Sequence, residues 1–126
     1  MVHAALVLTV PFALLPSKPT TAELVYLLEK LKSGADSIRI RLFTHSSLLD
    51  QAREAAKQAL IPLDQIYLLD KGTAKSKHTQ LSSLIENVTR KKLPRQAVIP
   101  ARKETLAYLV FSSGTSGLPK GTPILC

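Results

Sequence analysis

Residues 106–121 read Leu106-Ala-Tyr-Leu-Val-Phe-Ser-Ser-Gly-Thr-Ser-Gly-Leu-Pro-Lys-Gly121. An apolar, strand-like run over 106–111 empties into a loop of small hydroxyl residues and glycines, closed by one lysine. Ser112, Ser113, Thr115 and Ser116 offer hydroxyl donors, and Lys120 adds a full positive charge. Gly114, Gly117 and Gly121 are expected to let the backbone take turns closed to other residues and to approach a ligand closely. Successive backbone N–H groups in such a loop form an anion-binding concavity. The set suits the β- and γ-phosphates of a nucleotide. The residues by themselves leave a second reading open, a Ser/Gly turn between two strands, because short Ser/Gly runs commonly serve as linkers.

This is not the phosphate loop of the common ATPases, which requires Gly, four residues, then Gly-Lys-Ser/Thr. Counting from Gly114, Pro119 stands where the second glycine belongs, and Gly121 replaces the hydroxyl residue that would hold magnesium.

Upstream, the pattern alternates between strands and helices. Pro16-Ser-Lys-Pro-Thr20 is a break, and Thr20 stands three positions before Glu23, the spacing of a capping box at a helix start. Leu24, Leu27, Leu28 and Leu31 then predict a helix over 21–33 with one apolar face, ended by Gly34. Residues 38–43 alternate as a short strand should. Ser46 or Ser47 is a candidate cap for a second helix over 46–60. Its Ala52, Ala55, Ala56 and Ala59 form a small-residue face suited to close packing on a sheet. Ile61-Pro62 ends it, and 65–69 is a further strand. A short helix is expected near 80–88 and a last strand over 106–111. Parallel strands need crossovers, and 46–60 has the length for one. This is α/β grammar.

The net charge is +8. Residues 71–103 carry nine basic residues against Glu86 alone, so this segment holds the whole excess. Such a stretch attracts nucleic acid, anionic lipid or polyphosphate. No aromatic residues interleave it for base stacking, so nucleic acid is not expected as a partner and a solvated, linker-like segment is. The apolar run over 4–15 has no Lys or Arg before it and is interrupted by Pro11, unlike a signal peptide. It is shorter than the roughly 20 residues that span a bilayer. A buried helix or strand is expected instead, and no membrane span. A single cysteine, Cys126, excludes an internal disulfide. His3, His45 and His78 lack metal-ligand spacing, and no metal ligands are predicted. His45, following Phe43-Thr44, reads as a strand-end or helix-capping neighbour.

The decapeptide at 112–121, preceded by Tyr-Leu-Val-Phe at 108–111, resembles the AMP-binding signature of the adenylate-forming enzymes. These comprise acyl-CoA synthetases, aryl-CoA ligases, luciferases and peptide-synthetase adenylation domains. The likeness over 108–121 is nearly complete. Residues 16–28 resemble the loop and helix after the family's first core strand. Residues 42–70, with Phe-Thr-His, an alanine-rich helix and Ile-Pro-Leu-Asp-Gln-Ile-Tyr-Leu-Leu-Asp, resemble its next strand–helix–strand unit. Three departures stand against it. Thr-Pro-Ile-Leu-Cys follows Gly121 where the family continues with an apolar strand and a His-containing helix start. Arg39 and Arg41 lie in a strand the family usually buries. The downstream Gly-x-Thr-Glu stretch, the ribose-binding Asp and the C-terminal-domain Lys are missing.

The resemblance implies an α/β fold: an incomplete, mostly parallel sheet with crossover helices, part of the large N-terminal domain of an adenylate-forming enzyme. Residues 1–126 would be a partial domain, with 71–103 linker-like and 112–121 the phosphate-binding loop. It implies an ATP-dependent acyl-CoA or aryl-CoA ligase that activates a carboxylic acid as an acyl-adenylate, with ATP and Mg2+ as cofactors and coenzyme A as co-substrate. The location it implies is cytoplasmic or peroxisomal. Ser112, Ser113, Gly114, Thr115, Ser116, Gly117, Lys120 and Gly121 would hold ATP, and none of them is a catalytic nucleophile. The chain is expected to be inactive alone. The competing expectations are a non-catalytic nucleotide- or polyphosphate-binding module and an unstable truncated remnant.

Overall fold

A computed structural model describes residues 1–33, 40–71, 77–112 and 119–126. The order is α1 (Val2–Val7), β1 (Phe12–Leu14), α2 (Thr21–Ser33), β2 (Leu42–Thr44), α3 (Leu49–Gln58), β3 (Ile66–Leu68), β4 (Thr79–Gln80), α4 (Leu81–Arg90), β5 (Leu106–Ser112) and β6 (Lys120–Leu125). The chain divides into two units, residues 1–18 with 94–126, and residues 19–93. The fold is α/β with mostly parallel pairing, as expected, but the strands form two three-stranded sheets rather than one.

In the unit of residues 19–93, β2 pairs parallel with β3, and β3 with β4. Helix α3 is the crossover between β2 and β3. Its alanine face is buried, at Ala52, Ala55, Ala56 and Ala59, but where the sequence suggested packing on a sheet the helix contacts α2 more extensively than β3. These small side chains let α2 pack closely, and α2 contributes Leu24, Leu27 and Leu28 to the same core. From the sheet come Leu42, Ile66 and Leu68. The capping box forms as the spacing requires. The Thr20 backbone N–H donates to Glu23 Oε2 (2.7 Å), and the Glu23 N–H donates to Thr20 Oγ1 (3.2 Å). The Thr20 N–H and then its hydroxyl hold the Glu23 carboxyl below its ordinary range. The expected cap at Gly34 lies outside the described residues.

Several boundaries differ from the sequence expectation. The strand expected over 38–43 begins at Leu42 and runs to Thr44. Its alternation survives the shift, with Leu42 and Thr44 inward and Arg41 exposed ahead of the strand. Helix α3 is capped by neither Ser46 nor Ser47. Its N-cap is Leu48, with no side-chain cap; a short 3-10 turn, Ser46–Leu48, precedes the helix, and His45 caps that turn by accepting from the Ser47 N–H. Residues 81–90 form a full helix inside the basic segment, slightly longer than the expected one. The apolar run near the N-terminus becomes α1 and β1, and α1 has no buried residue.

The described helices α1, α3 and α4 end alike. At each end a non-glycine residue takes a left-handed conformation: Thr9 (φ 51°), Leu60 (φ 55°) and Lys92 (φ 48°). Each donates its N–H three residues back, and the next residue donates five residues back, as in Ile61 to Ala56 (2.8 Å). These are Schellman motifs with the usual glycine missing. An apolar residue and then a proline follow each one: Val10-Pro11, Ile61-Pro62 and Leu93-Pro94. A left-handed conformation costs an ordinary L-residue about 1–2 kcal/mol, partly offset because glycine loses more chain entropy on folding. Leu60 is 79% exposed, so its side chain contributes little burial. Leu60→Gly is expected to raise stability by about 0.5–1 kcal/mol, read as a higher urea midpoint with an unchanged slope.

In the other unit the strand order is β1-β5-β6. β1 pairs parallel with β5, with Phe12 stacked on Tyr108 (ring centroids 5.4 Å apart). β5 and β6 form an antiparallel hairpin. Pro123, which has no N–H to donate, sits on β6 at the sheet edge, where proline is tolerated. Ala107 is the one buried apolar residue among the described residues of this unit.

Candidate phosphate-binding hairpin

β5 delivers Ser112 to the mouth of the loop, and β6 begins at Lys120 directly across from it. Both side chains are exposed. Directly opposed residues of an antiparallel pair share a face, so the two side chains start from the same side of the hairpin at the two ends of the connection. Ser113, Gly114, Thr115, Ser116 and Gly117 lie outside the described residues. The strand before the loop is as expected, extended by one residue to Ser112.

Gly121 does a different job from the one its sequence context suggests. It lies within β6, not in a turn, and pairs with Phe111 across the hairpin. A Cβ there would stand 3.0 Å from Phe111 Cε1. Its missing side chain makes room for the ring, which covers the glycine and fixes the strand pair just behind the mouth.

The hairpin residues 106–126 contain no Asp or Glu. A hydroxyl, a cation and no carboxylate suit an anion. Without a carboxylate, the hairpin's side chains offer a divalent cation none of its preferred charged ligands. Among the described residues no group of three or more His, Cys, Asp or Glu is placed to hold a metal.

A second polar cluster, unanticipated apart from His45, lies at the carboxyl ends of β2 and β3. Ser46 donates its backbone N–H to Asp70 Oδ1 (2.9 Å) and its hydroxyl to Oδ2. His45 Nε2 stands 3.4 Å from Asp70 Oδ2, and its Nδ1 faces Ser47. Accepting at Nδ1 leaves the proton on Nε2, toward Asp70. The Leu69 N–H donates to the Thr44 carbonyl (2.9 Å), extending the pairing of β2 and β3. The signal that reveals the cluster is an Asp two residues past the end of β3, paired with a Ser two residues past the end of β2. Only the register of β2 on β3 brings them together, so spacing along the chain does not show it. The arrangement ties the end of β3 to the start of α3.

Hydrogen bonds from the Ser46 hydroxyl and from its N–H hold the Asp70 carboxyl below its ordinary range against the opposing effect of desolvation. A lowered folded value means that the stabilisation is present above the unfolded value and is lost as pH falls through the folded one. Urea unfolding at a series of pH values is therefore expected to show wild-type stability declining below the ordinary carboxylate range more steeply than that of Asp70→Asn. Parallel decline would deny Asp70 this role.

A cleft of about 460 Å³ is lined by Lys32, Ile40, Leu60, Ile61, Asp64 and Gln65. Of the residues expected to hold phosphate, the described ones, Ser112, Lys120 and Gly121, do not line it. Among the described residues no helix is long and apolar enough to cross a membrane.

No protein-family model matches the chain, and no curated protein does. A solved structure is similar to it: the luciferase-like enzyme from the nonluminescent mealworm Zophobas morio, at a TM-score of 0.62 and 18% identity. The match covers 91% of this chain and 29% of that one, so this chain spans less than a third of that protein's length. At this identity the likeness shows a shared fold.

Proposed function

We propose that this chain is part of an ATP-dependent ligase of the adenylate-forming type, and that it supplies the grip on the β- and γ-phosphates. The observation that carries the reading is the hairpin mouth. Ser112 and Lys120 are paired and exposed at the two ends of a Ser/Gly/Thr connection, behind which the Phe111–Gly121 contact holds the strands. The motif through that connection is the one that resembles the adenylate-forming enzymes. The α/β likeness to a luciferase-like enzyme supports the same assignment, since luciferases are among the proteins that carry such a motif.

The reaction of this class joins a carboxylate to the α-phosphorus of ATP and releases pyrophosphate, after which the acyl group passes to a thiol such as that of coenzyme A. Magnesium would add charge neutralisation on the phosphates, and no residue of this chain is assigned to hold it. The protein's part is positioning and charge neutralisation, not nucleophilic attack. Lys120 neutralises charge on the β- and γ-phosphates as pyrophosphate departs. The Ser112 hydroxyl, with those of Ser113, Thr115 and Ser116 and the amides of Gly114 and Gly117, donates to their oxygens. The acid-, adenine- and ribose-binding roles are not assigned to this chain.

A second reading, a module that binds nucleotide without chemistry, draws on the same hairpin. Two measurements on the purified chain separate the outcomes. A fluorescent ATP titration tests the grip, and pyrophosphate release with a panel of fatty and aryl acids tests ligation. Binding with release supports a self-sufficient ligase; binding without release supports a phosphate-holding part. No ATP binding overturns both.

A further inference from the structure

The geometry points to α4 as a docking helix for an anionic membrane surface. Leu81, Leu84, Ile85 and Val88 fall at helical spacing on one arc of about 100°, and Ser82, Ser83, Glu86, Asn87 and Arg90 fill the rest of the circumference. That apolar arc is largely uncovered: Leu84 is 37% exposed, Ile85 58% and Val88 49%, and α4 buries none of its residues.

What covers the arc is argued from charge. The helix leads directly into Arg90-Lys-Lys-Leu-Pro-Arg95, in which the four cations and Leu93 are all exposed. Glu86 is the one acidic residue over 71–103. Cations clustered at one end of an exposed apolar stripe complement a surface that is both anionic and apolar beneath. A bilayer carrying phosphatidylserine offers that combination: headgroups for the cations, and the acyl boundary for leucine, isoleucine and valine. The neighbouring left-handed turn at Lys92 projects the chain off the helix end, so the cations gather there instead of continuing round the helix. The docking is peripheral, and it does not depend on the phosphate-binding reading of 112–121.

Co-sedimentation of the full chain with vesicles tests it. The chain is expected to pellet with phosphatidylcholine vesicles containing phosphatidylserine, to stay in solution with phosphatidylcholine alone, and to be released by salt. Ile85→Glu places a charge on the exposed arc. Lys91→Gln with Lys92→Gln removes two cations. Each variant is expected to weaken the partition roughly tenfold, with far-ultraviolet circular dichroism unchanged. Equal binding to both vesicle types, binding to neither, or pelleting unaffected by Ile85→Glu overturns the proposal. If Ile85→Glu instead lowers the apparent mass of the protein in solution and leaves vesicle binding unchanged, the arc is a contact between copies and the membrane reading falls.

Discussion

Lys120→Ala is expected to raise the dissociation constant for ATP about 10- to 100-fold. A hydrogen bond to a charged group contributes about 1.5–3 kcal/mol, and each 1.4 kcal/mol is tenfold in affinity. Lys120 opens an edge strand and is exposed, so truncating it opens no cavity. Pairing between Ser112 and Lys120 uses the backbone, which alanine retains. Phe111 over Gly121 continues to anchor the hairpin behind the mouth. The loss should therefore be one of charge and not of structure. AMP is the informative control, because it has no β- or γ-phosphate; its affinity is expected to change little. Lys120→Arg keeps the charge and should recover part of the ATP affinity. Unchanged ATP affinity in Lys120→Ala, measured by fluorescence titration, would remove the hairpin from the phosphate site.

How much of this was readable along the chain depended on how local the physics was. The capping box at Thr20 and Glu23 and the alanine face of α3 were legible, because each rests on neighbours within one or two helical turns. The start of β2 was not. Alternation continues from Ile38 to Phe43, yet among the described residues the strand runs where β3 pairs with it, from Leu42 to Thr44. The division into two sheets was hidden for the same reason, since pairing partners are far apart in sequence. The helix ends were legible in part. Ile61-Pro62 marked one; the same apolar-proline pair recurs at Val10-Pro11 and Leu93-Pro94, but in none of the three does a glycine announce the left-handed residue before it. At the candidate site, the Ser/Gly/Lys composition raised the expectation of an anion cradle, while the packing reason for Gly121 did not show. Its glycine makes space for a ring on the partner strand, a contact set by hairpin register. Asp70 was silent for the same reason, since its partner Ser46 is 24 residues away.

Leu27→Ala is expected to cost the most stability of any single change argued for this chain, about 2–5 kcal/mol. Leu27 is fully buried, at 0% exposure, beside Leu24 and Leu28 on the face of α2 that meets α3. The opposing wall is made of Ala52, Ala55 and Ala56. Alanine has no rotamer with which to reach into a void, so the wall that allows close helix approach also prevents repair. The cost therefore belongs toward the upper part of the range, because it grows with the cavity that remains. Whole-domain stability is commonly about 5–15 kcal/mol, so a loss of this size removes a large fraction of it. Leu84→Ala, on the uncovered arc of α4, is the matched control and should stay within about 0.5 kcal/mol. Helical circular dichroism followed through a urea titration reads both, since α2 and α3 supply much of the signal. A midpoint for Leu27→Ala close to that of Leu84→Ala would mean that α2 does not seal the core, and the packing of α2 on the alanine face would have to be given up.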